Sequence, residues 1–149
     1  MTKERTQQEQ ERRLKDICRR IMSEDHPGRL NAMLEPEIYG CDVQKGTSQI
    51  RFENKEWEKN QRGELHGGAI ASMMDTAMGM TVAAFSEDRE VSTAELNVSF
   101  IRPFLGNAYL IESEILHSGR TLIRVRAKAY DQDSGKCLAS ATGNFIYIG

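Results

Sequence analysis

The chain has 149 residues, 39% of them hydrophobic and 28% charged, and a formal charge of −2; this is one domain with a real core, too short for two, and its balance argues against disorder. A weakly negative charge excludes a general pull toward nucleic acid or an anionic membrane, so neither is expected as a partner. Cys18, Cys41 and Cys137 are far apart and lack CxxC or Cys/His spacing, which excludes a disulfide framework or a zinc site and predicts a reduced, cytoplasmic protein without a bound metal.

The opening "MTKERTQQEQERRLKD" has no apolar core of the kind a secretory signal needs. Leu14, Ile17, Cys18, Ile21 and Met22 then recur at i, i+3, i+4, i+7 and i+8, the stripe of an amphipathic helix. Pro27 and Gly28 end it, so residues 1–30 are expected as a helix and linker before a main domain at 31–149. A packing or lid role is the plain reading of that helix, and a partner-binding role the other.

Next, "EIYGCDVQKGTSQIRFE" reads as two strands around Lys45, Gly46 and Thr47. The charged loop "NKEWEKNQRGE" leads into a long run of small and apolar residues, Gly67 to Phe85. That run is long enough to span a bilayer, but Asp75 lies near its centre and alanine, glycine and methionine stand where leucines are expected. A helix buried in a protein core is the better reading, about 28 Å long at 1.5 Å per residue.

Beyond it the period changes to two. In "VSTAELNVSFI", Ala94, Leu96, Val98 and Phe100 are expected on one face, and Thr93, Glu95, Asn97 and Ser99 on the other. Three more strands follow, separated by turns at Leu105 to Asn107, His117 to Arg120 and Asp131 to Gly135. The expectation is an α+β fold in which a four-strand antiparallel meander and an earlier hairpin, about six strands in all, curl around one long central helix.

Two features of the long helix are chemical. His66, Gly67 and Gly68 place residues with little or no side chain where unpaired helix N–H groups point outward, a possible oxyanion site. Asp75 has Ala71, Ser72, Met78 and Gly79 as its helix-face neighbours, so no local cation neutralises a carboxylate expected to be buried. Two readings stand for it: a carboxylate bonded to a nearby backbone or hydroxyl group, or a general base or nucleophile in a dry pocket.

Gly67 and Asp75 are about 12 Å apart along the helix axis, whereas a nucleophile and its oxyanion donors must meet within about 3 Å of one centre. If both are catalytic, Asp75 of one subunit meets the helix start of another, and two-fold symmetry makes two sites. His66 and Asp75 lie roughly half a helix revolution out of phase, which argues against a hydrolase triad and for His66 as a capping residue. His26 and His117 fall in loops and carry no expected role.

The residues from Asn60 through His66, Gly67 and Gly68, followed by Asp75, then "STAELNVSFIRP", "SGRT" and "DSGKCLASATGNFIYIG", resemble the hotdog-fold acyl-CoA thioesterases of the phenylacetic-acid-degradation (PaaI) type. The Asn-x5-His-Gly-Gly-x6-Asp spacing is the specific part, and the likeness runs from about Ile38 to the C-terminus. It implies hydrolysis of an acyl-CoA to free acid and CoA, no cofactor beyond the CoA of the substrate, and homodimers paired into homotetramers. By the same resemblance Asp75 activates water or attacks the carbonyl, the Gly67 amide polarises the thioester, Asn60 and His66 hold the loop and leaving group, and Thr93 orients the water on a strand at the dimer interface.

Binding CoA needs phosphate contacts in an acidic chain. The best candidates are Arg120 in the turn with Gly119 and Thr121, Arg102 before Pro103, and the backbone at Gly68. Arg124, Arg126 and Lys128 share a strand face that reads equally well as a solvated exterior. A non-catalytic acyl-CoA sensor, a dehydratase acting on hydroxyacyl thioesters and a purely structural protein are the other classes; Asp75 and Thr93 together count against the sensor, and the missing His/acid pairing against the dehydratase. Small aromatic, medium-chain and long-chain acyl groups fit the sequence alike, and Met73, Met74, Met78 and Met80 could line a tunnel or simply fill the core.

Overall fold

The computed structural model describes residues 5–86 and 89–148; the first four residues of the opening stretch read above lie outside them, as does Gly149. In chain order the elements are α1 (Gln7–Ile21), α2 (Leu30–Leu34), β1 (Glu37–Asp42), β2 (Thr47–Glu53), a 3-10 turn (Glu56–Glu58), α3 (Gly67–Phe85), β3 (Glu90–Phe100), β4 (Ala108–Ser118), β5 (Leu122–Asp131) and β6 (Cys137–Ile148).

Helix α1 begins at a capping box: the Thr6 hydroxyl accepts from the Glu9 amide, and the Glu9 carboxylate accepts from the Thr6 amide. Leu14 is fully buried and Ile17, Cys18 and Ile21 pack partly against the core, so the apolar stripe faces inward. Burying Leu14 alone contributes about 2 kcal/mol. Met22 departs from the stripe, because it is the exposed C-cap. Arg13 ties α1 to the end of α3, donating to the carbonyls of Ala83, Ala84 and Ser86; cations are favoured at a helix C-terminus because its last carbonyls lack partners.

The six strands form one antiparallel sheet in the order β1-β2-β4-β5-β6-β3. Gly46, with φ of 67°, makes the turn between β1 and β2. The late strands are not a four-strand meander: β4, β5 and β6 are consecutive neighbours, but β3 pairs with β6 and not with β4. The reason is the 101–107 link, which is no hairpin. It carries Pro103, and it is held by the Leu138 carbonyl, which accepts from the Ile101 and Arg102 amides, and by bonds to Leu65 and Asn54. Near its end, Tyr109 donates to the Gly106 carbonyl and accepts from the Asn54 amide, and burial pushes its phenol up to about 12.

A second departure lies within β3. The register slips between Thr93 and Glu95, where Ala94 bulges out of the ladder. One extra residue reverses the alternation of every side chain beyond it. Thr93 therefore shares the helix-facing side with Leu96 and Val98, opposite to the alternation expected from the sequence.

The sheet wraps α3, whose Met73, Met74, Ala77, Met78 and Val82 have no exposed surface. By length and hydropathy α3 would serve as a membrane span, yet it is the core element here, with strands on one side and α1 on another. Met73, Met74 and Met78 thus fill the core, and Met80 also borders a cavity.

Candidate active site

The start of α3 is set by the loop before it. His66 donates its amide to the Glu58 carbonyl, and Leu65 donates to Phe104, which fixes where the helix begins. His66 is the N-cap: its Nδ1 accepts from the Gly68 amide at 2.8 Å. A Cβ on residue 68 would lie 3.0 Å from that nitrogen, so glycine there is what lets the imidazole close over the helix end. The Gly68 amide is consequently occupied by His66, whereas the Gly67 amide has no partner among the described residues.

Gly67 borders a cavity of about 400 Å³ with Asn60, Ile70, Phe100 and Arg102. Asn60 accepts from the Arg62 amide and makes a long contact to Glu64. The Arg62 guanidinium bonds to Glu64 and, with Asn60, holds that carboxyl below its usual range. The exposed Arg102 spends one donor on the Cys137 carbonyl, at 2.6 Å. Glu58 is buried beneath this loop; desolvation raises its pKa, opposed by the Lys55 amide that bonds to it.

Asp75 is not fully buried, contrary to the expectation from the sequence: it is partly exposed, because β3 and α1 leave the α3 face between them open. There it borders a second cavity, of about 800 Å³. Thr93 donates its hydroxyl to Asp75 Oδ1 at 2.7 Å, so the carboxylate's local partner is a hydroxyl and not a cation. The other carboxylate oxygen has no partner among the described residues. Alongside, Thr76 donates to Asn31 of α2, pinning that short helix to the rim.

The two cavities have no residue in common. Within one chain, Asp75 with Thr93 and Gly67 with Asn60 face separate spaces, as the helix spacing requires. The expected CoA contacts divide the same way. Arg102 and Gly68 lie at the Gly67 end; the Gly119 to Thr121 turn lies at the Asp75 end, where the Arg120 carbonyl accepts from Arg89, a residue of the Asp75 cavity. Arg120 itself is exposed, and the Gly119 amide is spent on the Leu122 carbonyl. Arg124, Arg126 and Lys128 are solvated, with Arg126 paired to Glu114.

Sequence reasoning missed Arg89, whose guanidinium stacks 4.1 Å over the Tyr147 ring. No periodic signal marks a residue in a turn. Asn31 was missed as well, since α2 has only five residues and no side-chain cap. Among the described residues no three His, Cys, Asp or Glu side chains gather as a metal site.

A family model described as the thioesterase superfamily matches residues 62–138, the span from the loop before α3 to the start of β6. The medium/long-chain acyl-CoA thioesterase YigI of Salmonella typhimurium is 29% identical over 129 residues, covering 76% of this chain and 80% of that protein. Among solved structures, the E. coli PaaI protein from the phenylacetic acid degradation operon superposes with a TM-score of 0.79 at 16% identity, over 96% of each chain. Zebra fish thioesterase superfamily member 2 gives 0.76 at 21% identity, over 91% of this chain and 96% of its own. Both structural likenesses are likenesses of fold, and the fold is the hotdog arrangement of a sheet around a central helix.

Proposed function

Because the chain belongs to the thioesterase superfamily, we propose that it hydrolyses acyl-CoA thioesters to the free acid and CoA, at sites shared between two copies of the chain. The observation that carries the reading is the Asp75–Thr93 pair at a cavity large enough for an acyl group, while the unpaired Gly67 amide faces elsewhere.

With Oδ1 held by Thr93, the free Asp75 oxygen takes a proton from a water whose oxygen bonds to the thioester carbon. The Gly67 amide of the partner receives the developing oxyanion, helped by the helix N-terminus. The C–S bond then breaks, the CoA thiolate leaves and takes up a proton, and the acid departs. Direct attack by the carboxylate, through an anhydride that water later opens, uses the same groups.

The sheet topology supports the two-copy reading. β3 is the last strand of the sheet, with Thr93 near its start and Phe100 at its end, the latter 3.5 Å from where a Gly67 Cβ would sit. Antiparallel two-fold pairing along that edge brings the Asp75 end of one chain to the Gly67 end of the other. It also unites the divided CoA contacts, Arg102 and Gly68 from one copy with Arg120, Gly119 and Thr121 from its partner. Pairing of such dimers into a tetramer, a cytoplasmic location consistent with three free cysteines, and catalysis without a cofactor complete the proposal.

The test is thiol release across an acyl-CoA panel. Turnover is expected, and Asp75→Asn should lower kcat by at least about 10²-fold, the scale for removing a general base. Tight acyl-CoA binding with no turnover would replace the hydrolase by a sensor, and an unaltered rate in Asp75→Asn would remove the mechanism.

A further inference from the structure

The hydroxyl side chains of α3 are bonded in two different ways. Ser72 and Thr81 donate back to the carbonyls one turn earlier, those of Gly68 and Ala77, each at 2.8 Å, the usual habit of a hydroxyl inside a helix. Thr76, buried next to Asp75, instead donates outward to Asn31 Oδ1 of α2 at 2.9 Å. That bond holds the carbonyl end of the Asn31 amide against the helix. The other end, Nδ2 with its two N–H donors, points away from the Thr76 hydroxyl and has no partner among the described residues.

The short helix that carries Asn31 is itself fixed. Ala32 and Leu34 are buried, the Lys55 ammonium donates to the Leu34 carbonyl at 3.2 Å, and Glu35, in the left-handed region with φ of 51°, ends the helix. Asn31 is therefore a donor set in place before any ligand arrives, and it lines the same cavity as Asp75. The other cationic groups on that wall are differently disposed. Arg13 spends donors on the last carbonyls of α3, Arg89 stacks on Tyr147, and Arg20 is exposed with no bond to hold it among the described residues. Ile17, Ile21, Val91 and Phe145 supply apolar wall between them. At the Asp75 end the pinned hydrogen-bond donor is thus the Asn31 amide. Thr76 follows Asp75 by a rise of about 1.5 Å, whereas Ala83 lies about 12 Å along the axis, so the donor stands close to the carbon that reacts and not at the far end of the cavity.

We infer that Asn31 is a specificity residue that donates to an oxygen on one of the first carbons of the acyl group, so that the site prefers aliphatic acyl groups hydroxylated near the thioester to plain ones of equal length. The inference rests on the acyl-CoA reading above and deepens it by naming the substrate class. A plain chain laid across Asn31 displaces the water from its two N–H groups and returns nothing; a hydroxyl oxygen in that position takes the place of the water. Thr76 acts through Asn31, as the group that orients it.

Equilibrium binding of two non-hydrolysable CoA thioethers, S-hexyl-CoA and S-(3-hydroxyhexyl)-CoA, the latter as each enantiomer, tests this without relying on turnover. The wild-type chain is expected to bind the better hydroxyhexyl enantiomer about fivefold more tightly than hexyl-CoA, the size of one neutral hydrogen bond. In Asn31→Leu the two affinities should become equal. Thr76→Val keeps both amide donors but releases the amide to turn, and should narrow the preference to about twofold. Circular dichroism checks that each variant is folded, and if the leucine variant does not fold, the valine variant decides. No preference in the wild type overturns the inference. So does a folded Asn31→Leu that binds both thioethers more weakly by the same factor, since Asn31 would then only prop the rim, or an unchanged preference in a folded Thr76→Val. If the preference behaves as expected while no acyl-CoA is hydrolysed, the assignment of Asn31 stands and the hydrolase reading falls; turnover without the preference has the reverse meaning.

Discussion

Thr93 donates a 2.7 Å hydrogen bond to Asp75 Oδ1, joining the bulged strand β3 to the middle of α3. The bond fixes one carboxylate oxygen and leaves the other facing the cavity. Thr93→Ser retains the donor and is expected to keep kcat within about threefold. Thr93→Val has the same shape without the donor, and should lower kcat by about 10–10²-fold with little change in KM, the pattern for losing an interaction made in the transition state. Steady-state kinetics on one acyl-CoA distinguishes these, and a valine variant as fast as wild type would remove Thr93 from the mechanism.

The separate cavities for Asp75 and Gly67 predict complementation between inactive chains. Asp75→Asn and Asn60→Ala subunits, mixed in equal amounts and allowed to exchange, form mixed dimers in which one site has both intact residues. Half the dimers are mixed and each has one good site of two, so about a quarter of wild-type activity should return. No recovery, with exchange proven by a mass tag, would place both residues in one chain's site.

Glu58 gives a pH dependence of stability. Burial raises its folded-state pKa above the ordinary carboxylate value, so the folded chain holds that proton more tightly than the unfolded chain. The resulting stabilisation is fully present below the unfolded carboxylate range, near pH 4, and is lost as pH rises through the raised folded value. Above that window the wild type buries a charge. Glu58→Gln keeps an acceptor for the Lys55 amide and does not ionise, so its stability relative to wild type should improve from pH 4 to pH 7. Urea unfolding midpoints at the two pH values measure this; parallel shifts in both proteins would contradict it.

The His66 cap predicts an inversion of helix propensity. Alanine is the better helix former, but at residue 68 its Cβ would lie 3.0 Å from His66 Nδ1. Gly68→Ala should therefore destabilise the chain, as should His66→Ala, each by about 1 kcal/mol, the usual worth of an N-cap. His66→Asn keeps a capping acceptor and should lose less. Thermal unfolding decides: a stabilised Gly68→Ala would show that the imidazole yields to the added Cβ, and an unaltered His66→Ala would show that the cap contributes nothing.

Some of this architecture is readable residue by residue. The stripe of α1, the long α3 with its Gly67 start, the hairpin turn at Gly46 and the capping role of His66 depend on neighbours within a few positions, and periodicity reports them. The impossibility of Asp75 and Gly67 meeting in one chain is likewise a property of helix rise alone. Chain order does not encode the partner of β3. Nor does it encode the Ala94 bulge, since one unpaired residue reverses the facing of Thr93 without disturbing the alternating pattern that announces the strand.

Local spacing thus set the elements and the helix that would bear the acid. Only long-range packing decided that Asp75 is partly exposed, that Thr93 reaches it, that α1 walls its cavity, and that Arg89 stands at the same end. Those contacts join segments far apart in the chain, and their geometry follows from how the sheet closes on the helix rather than from any run of neighbouring residues.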